Sequence, residues 1–325
     1  MILAGDIGGT NARLALYDGP KGKPLRHDTF ESGAYKSLEA VVMAFLGPKV
    51  AKKVTSASFG IAGPVIDQRC AATNFPWVVD ARVVARKTGI GKVTLLNDLV
   101  ALAFGALTVP ASKLRVLHGD GPPKKKGGNL AVIAAGTGLG EAALIWDGER
   151  HVPLATEAGH SDFAARSALE WELYGWLEKR YGHVSWERIV AGPGFSALYH
   201  FFREAKGMDE TRENLETLDG AGDKNAAVAM LGTGGKSEPA AHAVELFARI
   251  YGAEAGNHAL HTLATGGVYV AGGIAGHMAE YLARGVFMEA FLDKGRFRRL
   301  LEAVPVAIVL DSDIGLAGSR YHASL

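Results

Sequence analysis

Four short segments hold the residues from which chemistry could be built. Asp6-Ile7-Gly8-Gly9-Thr10-Asn11 sets a carboxylate and then two glycines between apolar runs. Successive glycines let backbone N–H groups converge on an anion with no Cβ in the way. Thr10 and Asn11 add a hydroxyl and an amide, and Arg13 adds charge. Asp6 suits a Mg²⁺ held through water, because that ion keeps much of its hydration shell. A plain hairpin turn would need one glycine and no acidic residue before it, so the segment reads as a phosphate site. Gly136-Thr137-Gly138-Leu139-Gly140 offers a second glycine turn, this one without a carboxylate.

The third segment, Leu95-Leu96-Asn97-Asp98, puts two polar residues at the end of an apolar strand, just before a helix. Two readings of Asp98 stand side by side. It caps the helix, or it accepts the proton of an attacking hydroxyl. Phosphoryl transfer asks mainly for positioning and charge stabilisation, and one carboxylate on the nucleophile suffices. A carboxylate of ordinary pKa, near ~4, is a weak base at neutral pH, so it would orient the hydroxyl and take the proton late. The fourth segment, Glu157-Ala158-Gly159-His160, either grips a polyol through several hydrogen bonds or is a loop with two exposed polar residues. No HExxH spacing accompanies it, so a metal centre is not indicated.

These segments need elements to hold them. Ile2 to Ala4 and Ala12 to Tyr17 read as strands, with Asp18-Gly19 leaving the second. Ser37 to Leu46 has helical spacing, Val54 to Ile61 and Val93 to Leu96 are further strands, and Ala101 to Leu107 reads as a helix. Sliding the chain by 129 positions lays Asp18-Gly19 on Asp147-Gly148 and Gly9 on Gly138. Each glycine turn is thus preceded by an apolar strand, Ile2 to Gly5 or Leu130 to Ala135, and followed by a second one. That echo predicts two related lobes, each offering a glycine turn to a shared cleft. Asp6 falls on Ala135 in the echo, so only one turn carries a carboxylate, which suits one metal and one triphosphate.

Ala168 to Tyr181 is an amphipathic helix whose apolar face reads as core. The run from Lys206 to Pro239 is rich in charge and glycine, and reads as a surface excursion around one short helix. Val268 to Ala271 is a strand closed by Gly272-Gly273, with a helix over Ile274 to Arg284. Val306 to Leu310 is a strand, and Gly315 to His322 a short helix that would pack back on the first lobe.

Composition closes off other classes. The 325 residues are 48% apolar with a formal net charge of +1, too long for one ordinary core and without a basic stripe. A nucleic-acid partner and a membrane face are therefore not expected, and Lys124-Lys125-Lys126 reads as a solvated loop. One cysteine, Cys70, excludes a disulfide framework and a cysteine-rich zinc site. The start lacks the charged, long apolar pattern of a signal peptide, and no apolar run approaches the ~20 residues of a membrane span, so the expectation is cytoplasmic. Gly235-Lys236-Ser237 lacks the earlier glycine of a P-loop, and no GxGxxG occurs, which disfavours a nicotinamide enzyme.

In order along the chain, GDIGGTNARLAL from Gly5, LLNDLVALAFG from Leu95, AAGTGLG from Ala134 and TEAGHSDFA from Thr156 resemble segments of the bacterial glucokinase family, within the actin-like sugar kinases. HVSWERIVAGPG from His183, VYVAGGIA from Val268 and EAFLDKGRF from Glu289 resemble it too. The resemblance implies an α/β fold of two ribonuclease-H-like lobes closing on glucose. It implies ATP and Mg²⁺ as cofactors, with Gly5 to Thr10 and Thr137-Gly138 on the phosphates and Gly272-Gly273 beside the adenosine. Asp98 would be the base on the sugar 6-hydroxyl, with Asn97, Glu157, His160 and Glu187 on the sugar and Thr73-Asn74 approaching it from the small lobe. The small lobe would be residues 1–108, completed by 303–325, and the large lobe 109–302. Family members are commonly homodimers. Ala158 stands where the family pattern suggests glycine. No cysteine cluster follows His160, which argues for the zinc-free branch, and the five residues before Asp6 leave no room for a repressor's DNA-binding helices. Two other readings remain: a kinase of another hexose or with polyphosphate as donor, and a sugar-responsive regulatory protein without chemistry.

Overall fold

The first apolar run folds as β1 (Ile2–Ile7) and turns at the glycines into β2 (Asn11–Tyr17), pairing antiparallel from Ile2 with Tyr17 to Ile7 with Ala12. The computed structural model describes residues 1–71, 77–124 and 126–325. β3 (Arg26–Glu31), α1 (Leu38–Ala51), β4 (Ser56–Ile61), β5 (Val65–Ile66), β6 (Arg69–Ala71), β7 (Val78–Asp80), α2 (Ala81–Thr88), β8 (Lys92–Asn97) and α3 (Asp98–Ala106) follow. Ser37 caps α1 through the amide of Ala40, and Asp80 caps α2 through those of Arg82 and Val83. Five strands form one sheet in the order β3-β2-β1-β4-β8, and β5-β6-β7 a small second one.

The rest of the chain repeats the plan. β9 (Leu114–His118), β10 (Leu130–Ala135), β11 (Leu139–Trp146) and β12 (His151–Ala155) precede α4 (Ala168–Tyr181), α5 (Gly192–Glu204), α6 (Arg212–Gly220), α7 (Lys224–Thr233) and α8 (Glu238–His261). β13 (Gly267–Ala271), α9 (Gly272–His277), α10 (Ala279–Leu282), α11 (Val286–Leu292), α12 (Arg298–Leu301), β14 (Val306–Val309) and α13 (Ile314–Ala323) complete it. The third sheet runs β12-β11-β10-β13-β14-β9. Its first five strands match the first sheet position for position: an antiparallel hairpin, a third antiparallel strand outside it, and two parallel strands on the other side. Each set of five ends in a helix, α3 or α13. The echo read at 129 residues is this repeated sheet.

α3 and α13 lie between the two large sheets. Leu96, Val100 and Phe104 pack with Leu130, Val132 and Tyr269, and Ile314 joins the same cluster. A β-carbon on Gly105 or on Gly318 would run into the backbone of the other helix, so the pair crosses in close backbone contact. Ser319 Oγ donates to the Gly5 carbonyl at 2.8 Å and accepts the Gly60 amide at 3.2 Å, which ties α13 to β1 and β4. Of the segment 303–325, then, α13 packs on the first sheet while β14 pairs within the third.

Three local expectations change. The excursion from Lys206 to Pro239 holds two helices and the start of α8, because Thr211 and Asp223 each cap a helix that composition hides. The helix expected over Ile274 to Arg284 breaks at Met278 into α9 and α10. The helix expected from Ala101 begins at Asp98, since Asn97 supplies the cap. Among the described residues no helix is long and apolar enough to cross a membrane.

Candidate active site

Asn97 takes the helix cap beside Asp98. Asn97 Oδ1 accepts the amides of Leu99, at 2.9 Å, and Val100, at 3.3 Å, while its Nδ2 donates to the Gly63 carbonyl at 3.2 Å. Those are the bonds of an N-cap, so the capping role read as an option for Asp98 belongs to its neighbour. Asp98 is left half-buried at the first turn of α3, with one oxygen on the Leu99 amide at 3.0 Å. Burial pushes its carboxyl up to about 7, and the charges of Asp6 and Glu157 push the same way against the pull of that amide. The ordinary carboxylate pKa expected for Asp98 is therefore corrected. At neutral pH it stands near the midpoint of its titration, where a general base works best.

The same electrostatics report proximity. Asp6 closes β1 and Glu157 follows β12, so carboxylates from both large sheets bear on Asp98. A cavity of ≈ 340 Å³ opens here, lined by Gln68, Leu96, Asn97, Val100, Thr156 and Glu157 among others. Gln68 was not singled out in the sequence. It sits in the β5–β6 turn at φ 62 and reaches the Leu95 amide with Oε1 at 2.8 Å, a placement without a local sequence signal.

Asp6 is not alone on its strand. Arg13, its cross-strand partner, forms an ion pair with it and also bonds Asp313 Oδ1 at 3.2 Å. Arg13 is thereby committed to two carboxylates rather than left open to an anion, contrary to the sequence reading. Within the first glycine segment, Ile7 is fully buried and a β-carbon on Gly5 would run into Phe59, so both serve the sheet. Gly8 closes the hairpin by donating to Asn11 O at 2.8 Å, and Gly9, Thr10 and Asn11 are exposed.

In the second glycine turn Gly136 donates to Gly138 O at 2.8 Å, and Gly136 O in turn takes the Gly192 amide at the start of α5. Glu187 joins this turn to the loop after β12. Its Oε2 accepts the Leu139 amide at 2.9 Å, and its Oε1 stands 3.7 Å from His160 Nδ1. Glu157 and His160 themselves are exposed, one turn apart in a short 3₁₀ segment. Thr156 anchors that segment, donating to the Glu141 carbonyl at 2.9 Å and accepting the Ala158 amide at 3.3 Å. Thr73 and Asn74 lie outside the described residues.

Gly272 and Gly273 differ sharply. Gly272 has φ 87, and a β-carbon there would run into the Ala135 carbonyl at the end of β10. Gly273 faces open space. The first lets α9 begin hard against the second glycine turn; the second leaves its backbone open to a ligand.

The sequence model of the Glucokinase family matches residues 3–325. The glucokinase of Synechocystis sp. is 38% identical over 354 residues, spanning 99% of this chain and 98% of its own. The crystal structure of a glucokinase from an Antarctic psychrotroph superposes with a TM-score of 0.83 at 28% identity, over 99% of this chain and 98% of that one. A ROK family glucokinase from Streptomyces griseus, solved with glucose and AMPPNP, superposes with a TM-score of 0.64 at 22% identity over 99% and 98%, which shows a common fold.

Proposed function

The chain belongs to the glucokinase family, and on that premise we propose that Asp98 takes the proton of the glucose 6-hydroxyl as ATP gives up its terminal phosphoryl group. The chain is an ATP-dependent hexose kinase. The observation that carries the assignment of Asp98 is that Asn97 takes both amides of the cap, leaving Asp98 a share of the Leu99 amide alone, with its carboxyl raised to about 7.

Each further role rests on placement. Asn97, Glu157, His160 and Glu187 bind sugar hydroxyls, the first two lining the cavity and the last two as a pair. The exposed amides of the first glycine turn, together with Thr137-Gly138, hold phosphate oxygens. Gly273 lies along the adenosine. The lobe around the first sheet is residues 1–108 with α13, and the remainder forms the other. A homodimer in the cytoplasm completes the reading.

Mg²⁺ fits the site on one ground: Asp6 already attracts a cation, Arg13, and Mg²⁺ needs only one or two protein carboxylates beside phosphate oxygens. Asp6 would hold it through water, and the ion would neutralise charge on the phosphates. The protein's own part is then positioning. Glu157 and Asn97 fix the sugar, Asp98 orients the hydroxyl and receives its proton, and closure of the cleft excludes water as a competing acceptor.

Replacing Asp98 with Ala tests the reading. Turnover in an ADP-release assay with glucose should fall by about 10²–10⁴-fold while calorimetry still detects glucose binding. Turnover near that of the parent would overturn the assignment. A panel of hexoses and of ATP against polyphosphate reads the substrate preference directly.

A further inference from the structure

Behind β11, away from the cleft, the core holds three ionisable side chains that the reaction does not use. Glu141 is 0% exposed, and Glu254 and His258 of α8 are each 2% exposed. Carboxylates without a cation are expensive in such a place. Neither oxygen of Glu141 receives a hydrogen bond.

Where the protons sit follows from the partners. His258 Nε2 faces the Ala142 carbonyl at 2.9 Å, so Nε2 carries the hydrogen. The neutral ring therefore turns a lone pair, on Nδ1, toward Glu141 Oε2 at 3.3 Å. On its other side Glu141 meets Glu254. Glu254 is the better placed of the two to hold a charge, with the Asn257 amide at 2.8 Å and the Lys294 ammonium nearby, itself bonded to Asn257 Oδ1 at 2.5 Å, although burial still raises its carboxyl to about 7. Glu141 has only the Glu254 carboxyl as a hydrogen-bond partner, with the His258 Nδ1 lone pair beside it and no cation. It is the member that must be neutral.

The pair also touches the cleft through the backbone. His258 holds the carbonyl of Ala142, which pairs in register with Ala155 of β12. The Glu141 carbonyl holds the Thr156 hydroxyl, and Thr156 in turn takes the amide of Ala158. Glu157 lies between those two anchors.

We propose that Glu141 is a positioning residue for the sugar-binding loop: kept as a neutral acid between His258 and Glu254, it locks α8 to β11, and β11 sets the strand end that carries Thr156 and Glu157. The second half rests on the reading of Glu157 as a sugar ligand. A metal does not explain the cluster, since no group of three or more His, Cys, Asp or Glu among the described residues is arranged to hold one. Other titratable or charged groups around it are Tyr251 and His261 of α8, with Arg166, Glu170 and Asp293 around Lys294.

The sign of the pH effect is fixed. Glu141 titrates at 4.5 when unfolded and is pushed up to about 9 by burial and Glu254. The folded form thus holds a proton that the unfolded chain has lost, and stability from this group declines as pH rises from 4.5 toward 9, then levels.

Glu141→Gln keeps the shape and a donor but cannot ionise. Its melting temperature should fall less steeply than the parent's over that pH range, and its KM for glucose should stay flat above pH 8 where the parent's rises several-fold at constant kcat. His258→Leu, which removes the Nδ1 acceptor, should raise KM at every pH. Equal melting slopes for parent and Glu141→Gln would overturn the neutral acid. Different slopes with KM unmoved in both variants would overturn the positioning role. Glu157→Gln separates the two readings: if it leaves KM for glucose unchanged, the sugar-loop assignment fails while the melting comparison still stands or falls on its own.

Discussion

Glu187 Oε2 lies 2.5 Å from where a β-carbon on Gly138 would stand, close enough that the two positions constrain each other. The same oxygen takes the Leu139 amide at 2.9 Å, so the carboxylate fills the space beside the second glycine turn and fixes its backbone. Gly138→Ala must push Glu187 aside and break that bond. We expect kcat/KM for glucose to drop by about 10-fold or more, the equivalent of one charge-assisted hydrogen bond, with thermal stability little changed. Steady-state kinetics beside a melting curve distinguish this from simple unfolding.

Asp98 makes a prediction about pH. Only its carboxylate accepts a proton, and its pKa is raised to about 7. The rate should therefore climb through an acidic limb with an apparent pKa near 7, read from kcat/KM between pH 5 and 9. The linked stability has the opposite trend. The folded pKa lies above the unfolded 3.8, so stability from this group is lost as pH rises through that interval. Asp98→Asn should be inactive yet melt at a higher temperature than the parent at pH 8, because a buried charge is gone. A profile flat down to pH 5 would contradict the assignment.

The cap can be separated from the base. Asn97→Ala removes both cap bonds and should cost about 1 kcal/mol in chemical denaturation. Activity should fall further than stability alone explains, since the proposed sugar contact of Asn97 is lost and Asp98 is then free to turn back on the helix amides. Asn97→Ser, which restores a capping oxygen, should recover most of the stability.

Gly272 and Gly273 form a built-in control. Gly272→Ala meets a left-handed φ of 87 and the Ala135 carbonyl, and should destabilise by about 1–3 kcal/mol or fail to fold. Gly273→Ala has nothing within 4 Å and should fold as the parent does. A raised KM for ATP in that second variant, with KM for glucose unchanged, is the expected signature of adenosine passing over it.

Much of this was legible because chemistry-bearing residues sit in short contiguous segments. The two glycine turns, Asn97-Asp98 and Glu157 to His160 each lie at the end of an apolar strand, and strand ends are marked by periodicity and by glycine. The 129-residue echo is visible because a repeated sheet repeats its strand lengths and turns. Less local features were harder. The helices inside Lys206 to Pro239 start at Thr211 and Asp223, whose capping bonds need a backbone already bent into place. Gln68 lines the cavity from a two-residue turn that no pattern marks.

By itself the sequence determined the segments, their order, and the kinds of group each offers. What it left even was the choice between cap and base for Asp98, because one-dimensional spacing cannot say which of two adjacent oxygens reaches an amide. The base role of Asp98 is our proposal; the tertiary structure assigned the cap, giving Asn97 the amides of Leu99 and Val100 while Asp98 shares only the first. It also set the pKa of Asp98 through burial and through Asp6 and Glu157, residues 92 positions before it and 59 after it. It committed Arg13 to Asp6 and Asp313, and it buried Glu141 against His258 and Glu254. Each of these depends on distance through space and on exclusion of water, and those quantities exist only once the two sheets and the helices between them have packed.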